Sequence, residues 1–259
     1  MKKSVILIGL LCIGVSSAQA SFIYGLAKQG GIFKIDTATG VSTKVADTRI
    51  NNNRGGTNGL AYDGAGNFYY NEGSKLYKNN GAESLFATTG FSGSNDNAAF
   101  YQGKYYYVSA ADKLRNVDLS SGITSAAVTV NGVKDDFGDI AIDQHGKVWS
   151  QEAGNTQTFD LNNLAAGATT LGATAGQLQL GFDAMGALFG VNYDDGKIYK
   201  INTMTGVRTY TGGIAKYNNT LININDAASA AYQPVPEPAS MVALGMGALA
   251  LLRRKKKSA

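Results

Sequence analysis

The chain is 259 residues long, with a formal charge of +4, 44% hydrophobic and 10% aromatic residues, and only 16% charged ones. That apolar content excludes an intrinsically disordered chain, and the single cysteine, Cys12, excludes a disulfide framework. Seven of the 23 basic residues (Lys2, Lys3, Arg253–Lys257) and one of the 19 acidic ones (Glu237) sit at the extremities; this leaves 16 against 18 in residues 21–233, which removes the electrostatic case for nucleic acid.

In chain order, Lys2 and Lys3 precede the apolar run Val5–Val15, and Ala18-Gln19-Ala20 then supplies small residues where a signal peptidase reads. Residues 1–20 are expected to form a signal helix that is removed, with Ala18 and Ala20 specifying the cut and Ser21 becoming the first residue. A lipoprotein cleavage site is disfavoured, because Leu10 and Leu11 stand where small residues should precede Cys12.

From Ser21 onward the pattern is one of short apolar strands joined by Gly, Asn and Asp turns, with no long helical period. Two stretches are nearly the same: Ile32-Phe33-Lys34-Ile35-Asp36-Thr37-Ala38-Thr39-Gly40-Val41 and Ile198-Tyr199-Lys200-Ile201-Asn202-Thr203-Met204-Thr205-Gly206-Val207. Weaker copies end at Gly81, Gly122 and Gly167, so the five glycines are spaced by 41, 41, 45 and 39 residues. Strand–turn–strand units accompany them: Leu60–Asp63 to Tyr70, Ala98–Tyr101 to Tyr107, Ile140–Asp143 to Ser150, and Leu180–Asp183 to Phe189.

Each unit therefore holds about four strands and resembles a propeller blade, apolar on both faces and unable to stand alone. Phe22-Ile23-Tyr24-Gly25 opens in mid-unit, whereas Asn225–Tyr232 reads as an orphan first strand. The expected fold is all-β, a five-bladed β-propeller over residues 21–233 in which the last strand completes the first blade. Six irregular blades or a β-sandwich are the alternatives. The repeat is loosely similar to those of quinoprotein-type and NHL-type extracytoplasmic propellers.

Polar residues just ahead of each innermost strand should converge at one channel mouth; in this sequence they are Asn58, Asp96, Asp139, Gln179 and Asp226. Such a ring suits a cation or sugar hydroxyls, or simply solvates the channel. Calcium is a candidate ion, but Asp135, Asp136 and Asp139 lack the spacing of a calcium loop, and Asp194-Asp195-Gly196 reads as a hairpin turn. No other cofactor is implied. His145, the only histidine, lies in the turn Asp143-Gln144-His145-Gly146. Consecutive tyrosines such as Tyr105-Tyr106-Tyr107 alternate faces, so most should pack between blades, as should Trp149.

The chain ends with Pro234-Val235-Pro236-Glu237-Pro238, an apolar stretch to Leu252, and the basic run beginning Arg253-Arg254. The prolines make an extended, accessible spacer, and Ala239–Leu252 as a helix is short of a hydrocarbon core about 30 Å thick. Residues 234–259 closely resemble the PEP-CTERM sorting signal of Gram-negative bacteria. That resemblance implies recognition of Val235, Pro236, Glu237 and Pro238 by an exosortase-type enzyme. It also implies transient anchoring by a short transmembrane helix with Arg253 and Arg254 on the cytoplasmic side, and delivery to the cell surface or an extracellular polysaccharide matrix. The functional expectation is an exported, non-catalytic binding or scaffolding module associated with extracellular polysaccharide. The alternative is an envelope glycoside hydrolase using channel-facing aspartates, as on certain five-bladed propellers.

Overall fold

Strands alternate with turns through the whole body of the computed structural model, which describes residues 21–48, 57–88, 97–110, 113–133, 138–152, 154–173 and 176–231. The signal segment, the sorting tail with its expected helix, Asp96, Asp135 and Asp136 lie outside the described residues.

Chain order gives β1 (Phe22–Ala27), β2 (Ile32–Asp36) and β3 (Ser42–Ala46), then β4 (Thr57–Tyr62), β5 (Phe68–Glu72), β6 (Lys75–Asn79) and β7 (Glu83–Thr88). The next two groups are β8 (Ala98–Tyr101), β9 (Lys104–Ala110), β10 (Lys113–Asp118) and β11 (Val128–Thr129), and β12 (Asp139–Ile142), β13 (Lys147–Glu152), β14 (Asn155–Asp160) and β15 (Thr169–Ala173). The last blade is β16 (Leu178–Phe182), β17 (Leu188–Asn192), β18 (Lys197–Ile201) and β19 (Arg208–Ile214). A small hairpin of β20 (Lys216–Tyr217) and β21 (Thr220–Leu221) then leads to β22 (Ile224–Ala228).

These form five four-stranded antiparallel sheets, the first in the order β22-β1-β2-β3. The final strand pairs with the first, Tyr24 opposite Ala228 and Gly25 opposite Ala227, so the two ends of the chain share a blade. Inner strands β22, β4, β8, β12 and β16 each touch the next, and β16 returns to β22. The molecule is a five-bladed β-propeller closed by strand exchange.

Closure follows from where the apolar side chains lie. Each of the five hydrophobic cores is shared by two neighbouring blades. Ile23, Phe33 and Ile35 pack on Phe189, Val191 and Ile198 between the first and last, and Leu26, Ile32, Leu60 and Tyr70 pack between the first and second. The others unite Tyr69 with Tyr105, Val108 with Ile140, and Trp149 with Leu180 and Phe182. No blade owns a core, so an open array would leave two apolar faces in water.

The repeat motif has a local cause as well. Asp36 Oδ1 accepts from the N–H groups of Ala38 and Thr39 (3.0 and 2.8 Å), and Gly40 N donates to Asp36 O (2.8 Å). Asp118 and Asn202 make the same side-chain bonds two and three residues on, so an Asp or Asn followed four residues later by Gly specifies this hairpin. The 45-residue spacing arises where a 3₁₀ helix (Leu161–Ala166), capped by Asp160, replaces the short turn. Gly40 is needed for space as much as for its φ of +77°: an added Cβ would lie 2.1 Å from Ile214 O. Lys216 N bonds Gly40 O (2.9 Å) and Tyr217 packs edge-on to Phe33, so the β20–β21 hairpin fastens the last blade to the first.

Candidate functional site

The residue just before the apolar part of each inner strand points toward the axis, and two of these residues are the carboxylates Asp139 and Asp226. Neither is exposed to solvent. Asp139 Oδ1 accepts from Ile140 N (2.7 Å) and its Oδ2 from Leu180 N in the next blade. Asp226 repeats the arrangement, Oδ1 accepting from Ala227 N (2.9 Å) and Oδ2 from Leu60 N. Across the axis the two side chains hydrogen-bond to each other. Burial is the main force raising both pKa values: Asp139 is pushed up to about 7 and Asp226 well above the carboxylate range, where the Asp139 charge adds to the effect. Burial thus favours the protonated form at this pair well above the usual carboxylate range.

The expected ring needs correction at two places. It is not a solvent-filled mouth, because Asp139, Asp226 and Gln179 are sealed between inner strands. Asn58 is not the axial residue of its strand: β4 carries an irregularity between Asn58 and Ala61, and Asn58 pairs with Asn71. Gly59 takes the axial position with φ +67°, and the space a Cβ would need is filled by Tyr105 Oη and Asn71 Nδ2, each 2.3 Å away. The Tyr105 hydroxyl donates to Gly59 O (2.6 Å) and accepts from Asn71 Nδ2 (3.0 Å); full burial holds its pKa well above 10. Asp96 lies outside the described residues. Its neighbour Asn97 stands in the axial register, donating through Nδ2 to Gly138 O and accepting from Val108 N (3.2 Å). Gln179 shares the register of Asp139, with its buried Oε1 lacking a hydrogen-bond partner among the described residues.

An open site lies at the opposite ends of the inner strands. A depression of about 480 Å³ is bounded by Tyr62, Asp63, Phe100, Tyr101, Gln102, Asp143, Gln144 and Ser229–Ala231. A second hollow of about 140 Å³, against Trp149, Phe182, Asp183 and Thr203, shares the wall Ile142–Gln144 and Ser229–Ala230. Asp63, Asp143 and Asp183 are repeat-equivalent, and Oδ1 of each binds two N–H groups of its own turn. Tyr101 Oη accepts from Gln102 Nε2 (3.0 Å), and Gln102 has a φ of +46°.

Sequence reasoning passed over these residues, because the strings Leu60–Asp63, Ile140–Asp143 and Leu180–Asp183 served there only as repeat markers. Their shared aromatic-or-apolar-then-Asp ending was the available signal. His145 and Asp194–Gly196 do lie in turns, and Trp149 is core, its ring 5.3 Å from Phe182. Among the described residues no three His, Cys, Asp or Glu side chains converge as metal ligands, and no helix is long and apolar enough to cross a membrane.

Fold and axis together define a five-bladed propeller, and comparison with solved structures agrees. The chain is similar to a symmetrical protein studied for its de novo evolutionary emergence (16% identity, 82% of this chain and 100% of that one, TM-score 0.54). It is also similar to a protein of unknown function from Bacteroides thetaiotaomicron (12% identity, 75% and 58%, TM-score 0.51) and to a chain of a nidogen/laminin complex (11% identity, 81% and 85%, TM-score 0.50). At these identities the likeness concerns the fold alone. No curated protein matches the chain in sequence. Residues 234–257 match the PEP-CTERM protein-sorting motif. The chain carries that motif, which implies handling by an exosortase-type enzyme and sorting to the envelope of a Gram-negative cell.

Proposed function

We propose that this protein is a sorted, non-catalytic envelope module that binds extracellular polysaccharide in the groove at the C-terminal ends of its inner strands. The observation that carries this reading is the lining of the groove. Rings of Tyr62, Phe100 and Tyr101 stand beside the carboxylates of Asp63 and Asp143 and the amides of Gln102 and Gln144. Flat amphipathic rings with convergent hydrogen-bonding groups suit the apolar faces and hydroxyls of sugars. The sorting motif supports the same reading by directing the chain to the envelope. Against the glycosidase alternative, Asp139 and Asp226 have no exposed surface, whereas an acid and its partner must reach a glycosidic bond held between them.

The test is retention of the processed protein on the extracellular polysaccharide of the producing cell. Tyr101→Ala is expected to weaken binding at least tenfold and Asp139→Asn to leave it unchanged. Turnover of oligosaccharides that disappears in Asp139→Asn would favour the hydrolase instead.

A further inference from the structure

Asp183 is a sealed carboxylate whose bonds all come from neutral donors. One per cent of its surface is exposed. Its Oδ1 accepts from Met185 N and Ala187 N (3.0 and 2.8 Å), and its Oδ2 accepts from Ser21 Oγ (2.7 Å), 162 residues away in sequence. Its repeat-equivalents Asp63 and Asp143 make the same turn but are partly open to solvent. Among the described residues no lysine or arginine forms an ion pair with Asp183. A carboxylate taken out of water is ordinarily matched by a positive charge.

We propose that the matching charge is the α-ammonium group of Ser21, created when the signal segment is removed, and that Asp183 is its built-in receptor. Ser21 is already held at the spot: Thr37 Oγ1 donates to Ser21 Oγ (2.6 Å) and Thr37 N to Ser21 O (3.0 Å). In serine the nitrogen is separated from its own Oγ by three covalent bonds, so a group whose Oγ touches Asp183 brings its nitrogen into the same neighbourhood. Signal peptidase adds water across the Ala20–Ser21 amide. The C–N bond breaks, the leader keeps the carboxylate, and the freed amine carries the proton as an ammonium. Before the cut that nitrogen is a neutral amide. Strand β1 begins at Phe22, one residue later, so there is no slack between the cut and the blade. The inference is independent of what the groove binds.

The experiment uses the chain exported and processed by cells. Intact mass is expected to place the first residue at Ser21; any other terminus overturns the proposal. Inserting one alanine before Ser21 keeps the hydroxyl but moves the ammonium away, and is expected to lower Tm by about 2–4 °C. In an Asp183→Asn background the same insertion should cost nothing further. No fall, or an equal fall in both backgrounds, overturns the proposal. Should Asp183→Asn fail to fold, periodate oxidation of the terminal amino alcohol supplies a second readout. A native rate at least tenfold below the denatured rate supports the seated ammonium, and equal rates overturn it.

Discussion

Asp226 is the residue on which both the axis and its response to pH depend. An unfolded aspartate titrates near 3.9, whereas burial holds Asp139 up to about 7 and Asp226 higher still. Both folded values lie above the unfolded one, so the contribution of the pair is complete below about pH 4 and is lost as pH rises through about 7. Thermal midpoints are therefore expected to be higher at pH 5 than at pH 8. Asp226→Asn, which removes one titrating carboxyl and one of its two accepted N–H bonds, should flatten that slope; a slope unchanged in the variant would remove the dyad as its source. Asp118 works in the opposite direction. Its hydrogen bonds from Ser120 and Ser121 lower it to about 2, so its contribution fades only in strong acid. At Gly40 the chemistry is steric: Gly40→Ala combines a left-handed φ with a clash against the Ile214 backbone. We expect it to cost about 2–4 kcal/mol in a denaturant titration.

At the scale of the element, β22 is the closing strand. Removing it strips the first blade of its inner strand, takes Asp226 from the axis and Ile224 and Ala227 from the core between the first and last blades. A chain ending at Asn223 is expected to lose cooperative thermal unfolding, whereas one ending at Ala231 should keep it. The sequence made this strand legible because Asn225–Tyr232 had no partner in its own unit, and the glycines marked the blades because those at 40, 81, 122 and 206 end side-chain-capped turns and Gly167 ends the 3₁₀ helix that replaces one. The axial residues were legible only in part. Asp139 and Gln179 stand four residues before Asp143 and Asp183, and the same count back from Asp63 gives Gly59; Asn58 is the nearest polar residue, one position early, and a glycine at an axial position carries no side chain to signal it. Burial of Asp139 and Asp226 was equally hidden, since a polar residue at a strand start reads the same whether the channel is wet or shut. The groove escaped notice because its walls come from three blades and the final strand, a juxtaposition that exists only once the ring closes.

The whole molecule is a set of five shared interfaces with no independent part, so loss of one seam should be felt at all of them. Trp149→Ala, which empties the core between the fourth and fifth blades, is expected to cost about 3–5 kcal/mol. Unfolding should remain a single transition by both tyrosine fluorescence and far-ultraviolet circular dichroism; separated transitions would show that blades melt alone.

The described chain enters at Ser21, tied to the wall of the smaller hollow, and leaves at Ala231 on the rim of the larger one. Both doors thus open onto the same side of the disc. A precursor tethered by leader and tail together would lie groove-down on the bilayer, its groove shielded until release. A maleimide probe on Gln102→Cys, in a Cys12→Ser background, should accordingly react slowly in a doubly uncleaved precursor and quickly in the freed protein.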